Sequence, residues 1–131
     1  MLWNDNYLLG IEEVDNQHKK LVQLIEDTKK LLVDAQDGID CYDELVAVLK
    51  ELAEYTQYHF NCEEKLMEAV DYEDIIAHKM EHKIFIKKIS SFMSEDLEEE
   101  QKEKIEELVK FLFDWLVRHI MNTDSKYVDF I

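Results

Sequence analysis

Proline is absent from this chain and glycine occurs only twice. That poverty works against turn-rich all-β folds and keeps the two strongest helix breakers out of long helices. Cysteine is scarce too: Cys41 and Cys62 form neither a C-x-x-C pair nor a disulfide framework. A reducing compartment is therefore expected, although the sequence alone leaves a bridge between the two open. The opening Met1-Leu2-Trp3-Asn4-Asp5 has no basic n-region and no apolar h-region, so no signal peptide is expected. No apolar run approaches the length of a bilayer crossing, and a cytoplasmic location follows as the expectation. Positive charge is also short. Fifteen Lys and Arg face 31 Asp and Glu, for a net charge of −16. Such acidity excludes attraction to nucleic-acid phosphates and disfavours an anionic membrane surface; its bland reading is solubility.

What remains suits one helical domain. A chain of 131 residues with 47% hydrophobic and 35% charged residues can bury a substantial core under a well-solvated exterior. Residues 1–14, with Trp3, Tyr7, Leu8, Leu9 and Ile11 around Gly10, lack a sustained helical period and read as an extended arm covering one edge of the fold. Asp15 is a plausible N-cap for a helix over about 15–35, with His18, Leu21, Val22, Ile25 and Leu32 inward. Gln36-Asp37-Gly38 is the clearest turn. A second helix over about 42–69 aligns Leu45, Val48, Leu52, Tyr55, His59, Glu63 and Leu66. A third over about 74–93 carries Ile75, His78, His82, Phe85 and Ile89 on one face. The acidic run Glu95 to Glu100 reads as a solvated loop and the first turn of a fourth helix over about 98–121, where negative charge suits the helix dipole. That helix presents Ile105, Leu108, Leu112, Trp115, Leu116 and His119. Four amphipathic helices with short connections predict an all-α, antiparallel up-down-up-down bundle.

Five histidines, all that the chain has, are spread over those four helices: His18, His59, His78, His82 and His119. A lone histidine on an apolar helical face is usually a hydrogen-bonded core residue. Up-down topology, however, brings all five to one end of the bundle, and five unpartnered buried imidazoles would be costly. His59/Glu63 and His78/His82 are spaced i,i+4, roughly 6 Å of rise apart, so each pair faces one way. With Glu63 and Asp124 they form a set of imidazoles and carboxylates of the kind iron and other mid-row metals accept, in number enough for two ions. Asp124 is the awkward member. Five residues beyond His119, it stands about 140° away on an ideal helix. For both to bind, the fourth helix must loosen near residues 120–123, as a π-type bulge or a frayed end.

These residues resemble the hemerythrin family, and specifically its short bacterial type, over nearly the whole chain. The opening is carried by Trp3, Gly10-Ile11 and Asp15-x-Gln17-His18-x-x-Leu21. His59-Phe60-x-x-Glu63-Glu64 and His78-x-x-x-His82 match the second and third helices. Trp115-Leu116-x-x-His119-Ile120-x-x-x-Asp124-x-x-Tyr127 matches the last. Every ligand position is filled by the expected type. Cys62 lies outside the pattern, and its expected role is structural or incidental.

The resemblance implies a non-haem diiron centre. One iron would take His78, His82 and His119, and the other His18 and His59, while Glu63, Asp124 and an oxo or hydroxo group bridge them. The first iron is then six-coordinate and closed, and the second is five-coordinate with one position for O2. An apolar pocket over that position is expected from Leu116 foremost, with Trp115, Phe60 and Ile120 as further candidates; ordinary core packing is part of what all four do. The implied function is reversible O2 binding, for storage, delivery or buffering, rather than enzymatic turnover. The competing readings are a diiron oxidase or peroxidase, a nitric-oxide or iron-handling protein, and an O2 or redox sensor acting with a separate partner. A structural zinc site fits least, since zinc prefers four closed ligands. The sequence names no protein partner.

Overall fold

The computed structural model describes residues 3–131. Four long helices make the bundle: α1 (Glu12–Gln36), α2 (Tyr42–Ala69), α3 (Ile75–Met93) and α4 (Gln101–Arg118). They run up-down-up-down, with α1 packed on α2 and α4, and α3 chiefly on α2. No strand occurs among the described residues. Beyond α4 the chain continues as a π-helical turn (His119–Asp124), one α-helical turn (Ser125–Tyr127) and a 3-10 turn (Val128–Phe130).

Two of the connections use one device. At the end of α1 the Gly38 N–H donates to Ala35 O at 3.1 Å and the Ile39 N–H to Asp34 O at 3.0 Å, with Gly38 left-handed at φ 81°. This is a Schellman cap, and glycine meets its backbone demand without strain. At the end of α2 the Asp71 N–H donates to Glu68 O at 3.2 Å and the Tyr72 N–H to Met67 O at 3.0 Å, with Asp71 at φ 50°. Asp is one of the few side chains that tolerate that conformation. Tyr72 and Met67, which the cap brings together, are both buried in one small cluster with Tyr127.

Two helix starts differ from expectation. α1 begins at Glu12, so the arm is shorter and Asp15 lies inside the first turn rather than at the N-cap. Its carboxylate reaches back to accept from the Leu9 N–H at 2.8 Å and the Gly10 N–H at 3.1 Å, which satisfies donors ahead of the helix as a capping box does. α4 begins at Gln101, not near residue 98, because Glu100 sits at φ 53°, outside the right-handed region. The arm holds a 3-10 turn at Asp5–Tyr7, and Trp3 and Tyr7 pack on the main core as expected. Met1 and Leu2 fall outside the described residues. Cys41 and Cys62 are free thiols.

The core has two parts. The larger fills the middle and far end of the bundle with Leu21, Ile25, Leu45, Leu52, Phe85, Ile105 and Leu112 among others, and the smaller joins Met67, Tyr72 and Tyr127. The histidine layer lies between them.

Candidate metal centre

All seven side chains singled out in the sequence meet in that layer. His18, His59, Glu63, His78, His82, His119 and Asp124 are each at most 2% exposed. α1 supplies the first, α2 the next two and α3 the pair one turn apart, while His119 and Asp124 open and close the π turn. The π geometry solves the five-residue spacing, since its hydrogen bonds join residues five apart and stack them. His119 Nε2 lies 2.9 Å from Asp124 Oδ1.

The donor atoms fall into two overlapping groups. Glu63, His78, His82, His119 and Asp124 present atoms within 4.8 Å of one another, and so do His18, His59, Glu63 and Asp124. Three imidazoles stand on one side and two on the other, with both carboxylates common to the two. Individual contacts are short: His18 Nε2 to Asp124 Oδ2 3.0 Å, His78 Nε2 to Asp124 Oδ1 2.8 Å, and His59 Nε2 to Glu63 Oε1 2.9 Å. Yet these six atoms make no aligned hydrogen bond with any protein group. A buried polar atom left unpaired costs about 1–3 kcal/mol, and more when charged. The donor set therefore fits cations placed between its members and fits a hydrogen-bonded core poorly.

Protonation follows the same geometry. Burial and the Glu63 charge raise the Asp124 carboxyl, but the closeness of His119 and His18 outweighs them and holds it down at about 2. Burial likewise raises Glu63, and His59, His119 and His82 pull it well below the usual carboxylate range. Both acids are thus carboxylates at neutral pH, as ligands must be. Burial lowers His119, while Asp124, Glu63 and Glu81 together drive it well above the usual imidazole value.

Four residues outside the seven orient them. Gln17 Oε1 accepts from His59 Nδ1 at 2.5 Å, and Glu64 Oε2 from His82 Nδ1 at 3.0 Å. The Tyr127 hydroxyl donates to Glu63 Oε2 at 2.8 Å. Glu81 lies 3.7 Å from His119 Nδ1 and is itself held by the Thr123 hydroxyl at 2.8 Å. Such partners fix ring tautomers and carboxylate orientation around a metal. Gln17, Glu64 and Tyr127 stood in the sequence pattern without a role, because their partners lie on other helices. Tyr127 carried the one usable signal: three residues beyond Asp124, it is a tyrosine on an inward face, and such a hydroxyl needs a partner.

Toward the middle of the bundle the layer next to the histidines is apolar. A cavity of about 10 Å³ is lined by Leu21, Thr56, Phe60, Phe85, Trp115 and Leu116 among others. That is close to the smallest volume that admits one water-sized molecule. Phe60 stacks on His82 at 4.0 Å and Trp115 on His119 at 4.3 Å between ring centres. Ile120 is fully buried in the same core but does not line this cavity. Cys62 is half-buried on α2 beside Glu63 and outside both donor groups.

Fold and donor set define a helical-bundle protein with a buried histidine-carboxylate cluster able to hold metal ions. The family model for the hemerythrin HHE cation-binding domain matches residues 9–131, and the chain belongs to the hemerythrin family. It is 34% identical to a bacteriohemerythrin of Clostridium acetobutylicum over 98% of both chains. It is 37% identical to a bacteriohemerythrin of Pseudomonas aeruginosa, over 98% of this chain and 80% of that one. A hemerythrin-like protein of Naegleria gruberi is 29% identical, over 95% of this chain and 88% of its own. The cofactor of the family is a non-haem diiron centre, and the histidine-carboxylate cluster is of the composition to hold it. No helix among the described residues is long and apolar enough to cross a membrane.

Proposed function

We propose that this chain binds O2 reversibly at a diiron centre, as a cytoplasmic store, carrier or buffer of oxygen. In this reading His78, His82 and His119 would hold one iron, His18 and His59 the other, and Glu63 and Asp124 would serve both. The observation that carries it is the unequal division of the donors into three imidazoles and two around the same carboxylates. Three imidazoles would leave the first ion fewer free positions than the two imidazoles would leave the second, so the His18/His59 side is where a ligand would have room. The diiron pair supplies, when bound, the two electrons that O2 takes up and returns.

The remaining work belongs to side chains. Gln17 and Glu64 hold the His59 and His82 rings in place, and Tyr127 holds Glu63. Leu116, Phe60 and Trp115 keep the adjoining cavity apolar and too narrow for bulk water. No titratable side chain lines that cavity, which supports an apolar surrounding for the cluster on this side. The test is iron content together with the visible spectrum of the anaerobically reduced protein, before and after air. Two irons per chain and an absorption band that appears in air and disappears on degassing are expected. Zinc, a single iron, or a band that degassing does not reverse would overturn the reading.

A further inference from the structure

Helix α3 departs from the charge of the chain. The protein carries −16 overall, yet between Ile75 and Met93 it has Lys79, Lys83, Lys87 and Lys88 against a single acid, Glu81. His78, His82 and Phe85 form its buried face. At about 100° per residue, Ile76, Met80 and Ile84 fall on the opposite face, where they are 78%, 55% and 57% exposed. Three large apolar side chains spaced one turn apart are a stripe, not scattered surface residues. Between that stripe and α2 lies a groove of about 330 Å³, rimmed by Lys79, Lys83 and Lys87 and floored by Phe60, Glu64 and His82. Lys79 is neutralised by Glu68 at 2.9 Å. Lys83 and Lys87 make no ion pair among the described residues.

The floor of this groove is the back of the metal cluster. His82 Nδ1 meets Glu64 there at 3.0 Å, while its Nε2 lies inside the cluster, 3.1 Å from His119 Nε2 and 3.5 Å from Glu63 Oε1. One imidazole ring spans the distance from the groove to the donor atoms.

We propose that this face of α3, with its groove, docks an acidic one-electron carrier protein that re-reduces the diiron centre through His82. The inference rests on the function proposed above, because a reversible oxygen binder is inactive once both ions are ferric and must be returned to the ferrous state. In each encounter the carrier loses one electron and one ferric ion becomes ferrous, with no bond formed or broken between the proteins; two encounters restore the pair. Charge complementarity selects the occupant. An apolar centre with a charged rim suits the small, short-lived interfaces of electron transfer. A second copy fits less well, since antiparallel pairing of two α3 faces about Met80 sets each Lys79 beside the Lys79 and Lys83 of the other copy. A flat anionic bilayer does not enter a recessed groove.

The probe is a plant-type [2Fe–2S] ferredoxin, in about 0.15 M salt, where fields reach only about 8 Å and the local patch outweighs the total charge. Binding of its oxidised form to the air-oxidised, iron-loaded protein is measured by calorimetry, and reduction by its reduced form by stopped flow. The variants are Lys83→Glu/Lys87→Glu and Ile76→Ser/Met80→Ser, with Lys30→Glu/Lys102→Glu as a control of the same net charge at exposed positions off this face. Wild type and control should bind saturably. The first variant should bind about tenfold or more weakly, the second weakly at unchanged charge, with electron-transfer rates falling in step. Dithionite reduction in 1 M salt should be the same for all. Wild type that does not bind ferredoxin, variants that bind as wild type does, or adsorption to phosphatidylserine vesicles in place of ferredoxin overturns the proposal. Failure of the oxygen-binding reading shows separately, as missing iron or an irreversible spectrum, because the binding arm needs no electron to move.

Discussion

Tyr127→Phe isolates one atom. The ring is fully buried, stacked on His78 at 5.5 Å and edge-on to Tyr72 at 6.4 Å between centres, and phenylalanine preserves both contacts. Only the hydroxyl that donates to Glu63 Oε2 at 2.8 Å is lost. Burial first, then the charges of Glu63 and Asp124, push that hydroxyl far above its ordinary value of 10.0, so it is protonated and a donor at neutral pH. Hydrogen bonds to charged groups contribute about 1.5–3 kcal/mol. Unfolding entropy of about 2.1 cal/mol/K per residue gives roughly 0.28 kcal/mol/K for a chain of this length, so Tm should fall by about 5–11 °C. The assay is thermal unfolding of the iron-loaded protein by circular dichroism, with Tyr72→Phe as a control for loss of a tyrosine hydroxyl away from Glu63. A Tm within about 2 °C of wild type would refute the claim that this hydroxyl holds a buried carboxylate.

Leu116→Ala widens the apolar cavity and should cost about 2–5 kcal/mol in unfolding free energy. If Leu116 guards the ligand position, autoxidation, followed by loss of the reversible visible band, should also speed up; an unchanged rate removes it from that role. His59→Ala should lower bound iron from two per chain to one, because the three-imidazole group remains intact, and iron analysis by atomic emission reads this directly. The metal-free protein should show a maximum in stability against pH. Asp124, lowered to about 2 from 3.8, contributes in full above pH 3.8 and loses its contribution as pH falls through about 2. His119, raised above 6.5, contributes in full below pH 6.5 and loses its contribution as pH rises through its folded value. Urea midpoints of the stripped protein should therefore peak between pH about 4 and 6.5; a midpoint still climbing above pH 8 would contradict the coupling.

What the sequence revealed and what it concealed divide along a physical line. The helices were legible because their inward faces repeat at 3.6 residues, and α2 was legible to its ends because nothing in its flanks conflicts with that period. The start of α1 was misplaced because Asp15 has the chemistry of an N-cap but uses it from inside the helix, on donors behind it. The start of α4 was misplaced because six acidic or apolar residues in a row carry no marker of the left-handed turn at Glu100. The seven converging side chains could be read from helix register and topology alone. Gln17, Glu64 and Glu81 could not, since each acts on a ring from another helix and its direction depends on how the helices are rotated. The α3 lysines were visible as letters, but net charge averaged them away; only their place beside a groove with His82 at its floor makes them a surface.

The π turn connects these levels most tightly. Five residues separate His119 from Asp124, and in an α-helix that spacing would turn the carboxylate out of the cluster. The widened turn brings it back to within hydrogen-bonding distance of His18, His78 and His119 at once. It also sets the direction of everything that follows. Thr123, inside the turn, reaches Glu81 beside His119, and Tyr127, one α-helical turn later, reaches Glu63. Relaxing the bulge to α geometry would rotate Asp124 and Tyr127 together. One shared carboxylate would leave and the other would lose its donor in the same movement. The two carboxylates common to both donor groups are therefore not independent: both depend on a single extra residue in the last helix.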